Sequence, residues 1–370
     1  MSAPEIDESR ALESLRILEI GHKQNCKLAL PRQTELVWTG TEFDLPATTA
    51  APLTLRGVAR LWRALRTRQH DVIVVYVEQW APWHWKAFRH VISLHPLSTL
   101  LKLFVIQTLR FAKPRAPLAV IDLTEWGFIH RYNEFLLDRC TVYFKRELPF
   151  DRWRVFRRVS PGGFPASRFR RNPRNRRRLE KIHPLSLGCP DDHAIDGAFP
   201  DKTSDLFVAL AVGASSTVRV EGLREITAAL GARGVKVDIA EGRLPRSEFF
   251  ARMSKAWLTW SPHGFGWDCR RHYEAPLAFS VPVISAPTIV RQFPLIDGEH
   301  CFYYCPDEPD GLTRAVMRAL ADRERLRRIA EAAHALVKAR HVWPGRIEQL
   351  LRMTLGREAA PGGLQLDEMP

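Results

Sequence analysis

The sequence predicts an α/β protein built as two doubly wound halves. Three observations carry this. Residues 71–77 (DVIVVYV) form an almost unbroken β-branched and apolar run, which suits a strand covered on both faces of a parallel sheet. A second run of the same kind, 206–212 (LFVALAV), opens a new strand, turn and helix order after a stretch rich in Pro, Gly and Asp. The chain has 370 residues, 45% hydrophobic and 26% charged, which is enough for two sizeable cores.

In the first half, residues 15–20 read as a strand ending at Gly21 and His22. Residues 53–68 read as a helix with Val58, Leu61, Trp62 and Leu65 on one face. Shorter strands are expected at 119–123 and 141–144. The most apolar helical stretch, 94–111, is interrupted by His95, Pro96, Lys102, Gln107 and Arg110 and is predicted to be a buried helix rather than a bilayer span. A membrane-facing helix is its alternative, given Trp80, Trp83 and Trp85 nearby. Residues 152–178 are arginine-dense with turn formers and are predicted to be an exposed basic loop, suited to touching anionic lipid. They lack aromatic interleaving after Phe169 and a recognisable binding-motif spacing, so nucleic acid is not the expected partner.

Residues 182–200 read as the linker. The second half then runs strand 206–212, a turn at Gly213, and a helix from about Arg219 to Leu230. Strands at 235–239, 256–260, 281–284 and 301–304 alternate with helices at 249–255, 312–320 and 326–337, and a last helix covers 345–355. The expected organisation is a domain at 1–185 carrying the basic loop, a second at 186–340, and a helix with an aperiodic tail at 341–370.

The formal charge of +14 calls for an anionic partner, which a nucleotide, an anionic membrane or nucleic acid would satisfy. Residues 1–14 carry several acids and no basic segment followed by an apolar one, so a cytoplasmic protein is expected, or one peripheral on the inner face of the cell membrane. The six cysteines lack paired spacing and read as reduced structural thiols. There is no Asp-x-Asp pair, and no metal is expected.

Chemistry concentrates at 261–287 (SPHGFGWDCRRHYEAPLAFSVPVISAP), where a strand meets a glycine loop, a helix and the next strand. Gly264 and Gly266 allow tight or positive-φ backbone, and Asp268 is placed to cap the helix start. Free N–H groups at a helix start favour an anion such as a diphosphate. Arg270 or Arg271 adds positive charge, Arg270 and Glu274 lie one turn apart, and Glu274 can accept from a pair of sugar hydroxyls. His263 stands in the same loop.

This string resembles the donor-binding segment of GT-B nucleotide-sugar glycosyltransferases, of the group-1 and spore-maturation-like kind, in which Gly-x-Gly-x-Asp-x-x-Arg-x-Tyr-Glu precedes an apolar strand. Gly264, Gly266, Asp268, Arg271, Tyr273 and Glu274 fill every element of it. The second glutamate that many retaining members carry ahead of this one is replaced by Trp267, with Asp268 beside it. The Tyr-Phe-Lys-Arg string at 143–146 is similar to one in the same group. The resemblance implies two Rossmann-like doubly wound domains facing a cleft. It also implies that Glu274 binds the nucleotide ribose and that Gly213 and Arg219 approach the phosphates. Lys145 and Arg146 would balance the diphosphate, and no metal would be needed.

Because ligands in open α/β sheets sit beyond the carboxyl ends of strands, His22 and Glu125 are the first candidates for the general base. The expected activity is sugar transfer from a nucleoside-diphosphate sugar to a hydroxyl of a glycan or lipid-linked acceptor. The alternative is a non-catalytic protein of the same fold whose basic surface holds a membrane, nucleic acid or protein. An NAD enzyme is not expected, since no Gly-x-Gly-x-x-Gly follows the first strand.

Overall fold

The computed structural model describes residues 14–39, 54–77, 105–159, 165–166, 171–190, 194–209 and 217–357. They form two compact units, one holding the described residues up to Leu185 together with those from Ile347, the other Ser186–Arg346.

Unit 1 begins with β1 (Ile17–Gly21), α1 (Asn25–Ala29), β2 (Thr34–Trp38), α2 (Leu55–Arg66) and β3 (Val72–Tyr76). It continues with β4 (Leu118–Asp122), α3 (Leu136–Arg139), β5 (Val142–Lys145), the two-residue hairpin β6 (Arg158–Val159) and β7 (Pro165–Ala166), α4 (Pro173–Glu180) and β8 (Ile182–Pro184). Six strands make one sheet in the order β2-β1-β3-β4-β5-β8, every neighbouring pair parallel. The continuous apolar runs have a simple cause. Val72, Val74, Tyr76, Ala119, Ile121 and Phe144 are buried on one face, while Ile73, Val75, Leu118, Val120 and Tyr143 are buried on the other.

Two expectations are corrected here, and one unforeseen strand is added. Residues 182–184 are not linker but the sixth strand, an edge strand whose Pro184 is tolerated because an edge has a free side. Residues 34–38 form the other edge strand, a mixed sequence with no apolar run to reveal it. Residues 152–178 are only partly loop. Arg152–Phe156 is a 3-10 turn, and Asn172 caps α4 by accepting from the Asn175 N–H at 2.9 Å, with Pro173 at the first turn. Arg178 on that helix is buried and paired with Asp138 at 2.6 Å and Glu134 at 3.0 Å. Of the stretch 94–111, residues 94–104 lie outside the described residues, as do Trp80, Trp83 and Trp85; Ile106–Arg110 is a 3-10 turn. No helix among the described residues is long and apolar enough to cross a membrane.

Unit 2 runs β9 (Ser204–Val208), α5 (Thr217–Glu225), β10 (Val237–Ile239), α6 (Arg246–Ser254), β11 (Ala256–Ser261), α7 (Arg271–Leu277) and β12 (Val281–Ser285). It is completed by β13 (Phe302–Tyr304), α8 (Gly311–Leu320) and α9 (Arg323–Arg340). Its five strands are parallel in the order β10-β9-β11-β12-β13. Leu258, Trp260, Val281 and Val283 pack against Ile226, Val316, Leu326 and Ala330 from the helices. The last helix, α10 (Trp343–Thr354), supplies Ile347, Leu350, Leu351 and Met353 to the core of unit 1. The middle strand of the five, β11, delivers the chain to the site.

Candidate donor site

At Ser261 the central strand ends and the chain turns through 262–270 before α7. Glycine-specific dihedrals do not make this turn: neither Gly264 nor Gly266 has a positive φ. Gly264 is instead the place of a close approach. A Cβ there would lie 2.9 Å from Nη2 of Arg219, whose Nε donates to the His263 carbonyl at 3.3 Å. The absent side chain therefore makes room for an arginine reaching over from α5.

Asp268 does not cap the helix, which corrects the expectation from its spacing. The N-cap position is Arg270, with helical dihedrals and no side-chain bond. Asp268 is buried and accepts instead from the Leu187 N–H and from the Tyr273 hydroxyl, the latter at 2.7 Å. It anchors the loop to the start of unit 2. Trp267 is also structural, its indole N–H donating to Ser285 O at 2.9 Å and Ala286 O at 3.1 Å.

One histidine tautomer follows from its partners. His272 Nε2 faces the Trp267 carbonyl at 3.0 Å and must donate, so its Nδ1 accepts from the Ser261 hydroxyl at 2.7 Å. Ser285 Oγ accepts from the His263 backbone N–H at 3.3 Å and shares a hydrogen bond with His263 Nδ1 at 2.7 Å. Burial, and then the charge of Arg219, lower the His263 pKa, which favours the neutral ring.

Glu274 is 8% exposed on α7, and its Oε1 lies 3.5 Å from Nη1 of Arg246, the first residue of α6. Arg270, expected to pair with it one turn away, is exposed on the surface. The next arginine, Arg271, has Nε and Nη1 shielded from solvent and bonded to no protein atom among the described residues. Two shielded guanidinium donors without a bond, on the same helix as a buried carboxylate, are a costly arrangement for a fold to keep unless something binds there. Arg246 was missed in the sequence because no local period links positions 246 and 274.

The remaining candidates are in unit 1, except Gly213, which lies outside the described residues. His22 follows β1 and meets Tyr76 edge-on at 6.3 Å. Glu125 is exposed beyond β4 and pairs with Arg146 at 3.4 Å. Lys145 does not reach open space: it is fully buried, 3.1 Å from Asp122 and 3.0 Å from the Thr124 hydroxyl. Asp122 and Lys145 are register partners on neighbouring parallel strands, so the pair is a buried ion pair within the sheet.

Residues 230–352 match a family model described as glycosyl transferase-like. No curated protein sequence matches the chain. Among solved structures, an alpha-glucosyltransferase in complex with UDP and a 13-mer DNA superposes with a TM-score of 0.55 at 9% identity, covering 92% of this chain and 99% of that one. A UDP-forming α,α-trehalose-phosphate synthase from Burkholderia xenovorans gives 0.53 at 12% identity, covering 92% and 99%. Sucrose-phosphate synthase from Thermosynechococcus elongatus gives 0.51 at 12%, covering 93% and 100%. With its two parallel α/β sheets and a glycosyl transferase-like segment over α6 to α10, the chain has the GT-B glycosyltransferase fold.

Proposed function

We propose that the protein transfers a sugar from a nucleoside-diphosphate sugar, with uridine the first base to test, to a hydroxyl of a glycan or lipid-linked acceptor. The observation that carries this reading is the buried Glu274 carboxylate on the same helix as Arg271, whose Nε and Nη1 are shielded and unbonded among the described residues. Glu274 would accept hydrogen bonds from the ribose hydroxyls, with Arg246 holding the carboxylate in place. Arg271, Arg219 and the N–H groups at the start of α7 would face the diphosphate. In the reaction the acceptor oxygen bonds to the anomeric carbon, the bond from that carbon to the diphosphate oxygen breaks, and the nucleoside diphosphate leaves. Fixed positive groups around the departing diphosphate stabilise the charge that grows there, which is usually a large contribution. Metal is not needed to neutralise it in this scheme. The acceptor proton goes to a base, for which His22 and Glu125 are the candidates. The UDP-bound glucosyltransferase and the UDP-forming synthase support uridine as the base to try first.

The test is a thermal-shift panel of UDP, GDP, dTDP, CDP and ADP, with and without Mg²⁺, on wild type, Glu274→Ala and Glu274→Gln. One nucleotide should stabilise the wild type by about 2.7 kcal/mol at one hundred times its Kd, independently of Mg²⁺, and neither variant should respond. A folded wild type that responds to none of the five would remove the donor site and favour a non-catalytic protein of this fold.

A further inference from the structure

The sheet of unit 1 is wholly parallel, so every strand is entered at one edge and left at the other. His22 and Glu125 lie where strands are left. The opposite edge is made by the segments that enter β4, β5 and β8, namely 111–117, α3 with Cys140 and Thr141, and α4 with Lys181. These are tied into one surface. Arg139 donates to the Arg110 carbonyl at 2.6 Å, Arg174 and Arg178 to Asp138 at 2.6 Å, and Lys181 to the carbonyls of Leu137 and Cys140 at 3.2 and 2.9 Å.

That surface is strongly basic, and much of the charge is unanswered. Among the described residues no carboxylate lies within ion-pair reach of Lys113, Arg115, Arg176 or Arg177, all exposed. Between α3 and α4 lies a cavity of about 310 Å³ whose walls are Leu137, Asp138, Arg174, Arg177, Arg178 and Lys181, one carboxylate against four cations. Next to this charge, at the start of the segment entering β4, Phe111 is 78% exposed, the most exposed large hydrophobic side chain among the described residues.

We propose that this amino-terminal edge of unit 1 binds the phosphate headgroups of an anionic bilayer, one phosphate in the cavity between α3 and α4 and Phe111 inserted beside it. The cavity carries the charge that a phosphate calls for and has room for one. It offers Leu137 as its only apolar wall, which is a poor seat for a nucleobase. The unpaired cations continue outside the cavity, which calls for several phosphates spread over a plane rather than one free anion. A single protruding aromatic ring among basic side chains suits the headgroup interface, where the ring is buried and each cation meets negative surface potential. Single-stranded nucleic acid would instead call for successive aromatic platforms, and among the described residues this face presents one exposed ring.

The experiment is flotation of the purified full chain with vesicles of phosphatidylcholine alone or with about one-third phosphatidylglycerol, using wild type, the double variant Arg176→Glu/Arg177→Glu, and Phe111→Ser. The substituted arginines make no side-chain bond, so the variants should keep the wild-type thermal unfolding profile. Wild type should bind only the anionic vesicles and release in high salt. Loss of the two attractions should weaken binding about 30-fold, and the serine variant should weaken it several-fold while keeping the salt dependence. Equal binding to neutral vesicles, or wild-type binding by the double variant, overturns the proposal. Saturable binding of inorganic pyrophosphate without vesicle binding would assign a free anion instead. Binding of an oligo-uridylate probe without vesicle binding, lost in the same double variant, would assign nucleic acid; either result also overturns it.

Discussion

His341 provides a pH test of the packing behind the donor site. The ring is fully enclosed, stacks on Tyr273 at 4.7 Å, and is bonded to the Ser186 hydroxyl at 2.9 Å and to the Phe293 carbonyl at 2.9 Å. Burial is the main cause that pushes its pKa down to about 3, against the Phe293 carbonyl and with help from the charges of Arg346 and His300. In the unfolded chain the ring takes up a proton near pH 6.5, while in the folded unit it does so only near 3. The stabilising preference for the neutral ring is therefore complete above pH 6.5 and is lost as pH falls toward 3. The slope is about 1.4 kcal/mol per pH unit, so about 2 kcal/mol is lost on going from pH 7.5 to pH 5. The assay is urea unfolding at pH 7.5, 6 and 5 on wild type and His341→Gln, a side chain that does not titrate. Subtracting the two curves cancels the other histidines, and the difference should change by about 2 kcal/mol over that range. Parallel pH dependences in the two proteins would refute the buried neutral ring.

Unit 1 should respond to pH in the opposite sense. Glu19 is fully buried, its two oxygens accept from the N–H groups of Cys26 and Lys27 at 2.9 and 2.8 Å, and burial raises its pKa to about 7 in spite of those bonds. The folded state thus holds a proton that the unfolded state has lost above about 4.5, and stability falls as pH rises through 7. Acidifying from pH 8 to 5.5 should add about 2 kcal/mol in wild type and not in Glu19→Gln, read by amide hydrogen exchange of β1 and β3. In unit 2, Gly222 on α5 faces the enclosed ring of Trp260, where a Cβ would come within 2.2 Å, and the ring is held by its bond to the Tyr304 hydroxyl at 3.0 Å. Gly222→Ala should cost about 1–3 kcal/mol through overpacking, more than the roughly 1 kcal/mol gained in helix propensity. A variant as stable as wild type in urea would show that the helix can shift off the ring.

How much of this was legible depends on where each signal is stored. β3, β9 and β11 are covered on both faces, so burial writes itself into consecutive residues and the strands read directly. β2 and β8 are edges, where one side is free, and the sequence there is mixed or carries a proline. The helix α4 was concealed by its own charge: Asn172-Pro173 is a sound start signal, but five basic residues between 174 and 181 suggested a loop. Glu274 was legible because its motif is local. The pairing of Glu274 with Arg246, and of Lys145 with Asp122, depends on helix placement and strand register, neither of which has a local period. Gly264 does not have the positive φ that its place in the loop suggested; what lies against it is the guanidinium of Arg219, 45 positions earlier.

A parallel sheet has two inequivalent edges, and this bears on how the basic composition should be read. If the charge of +14 served only one anionic ligand, the unpaired cations should cluster at the edge where strands are left. Among the described residues of unit 1, Lys113, Arg115, Arg176 and Arg177 stand unpaired at the opposite edge, while Arg146 at the edge where strands are left is paired with Glu125. The buried and unbonded donors of Arg271 belong to unit 2. Two separate anionic partners account for this division better than one. The donor reading and the bilayer reading then rest on different residues in different units, so a variant that destroys one leaves the other measurable.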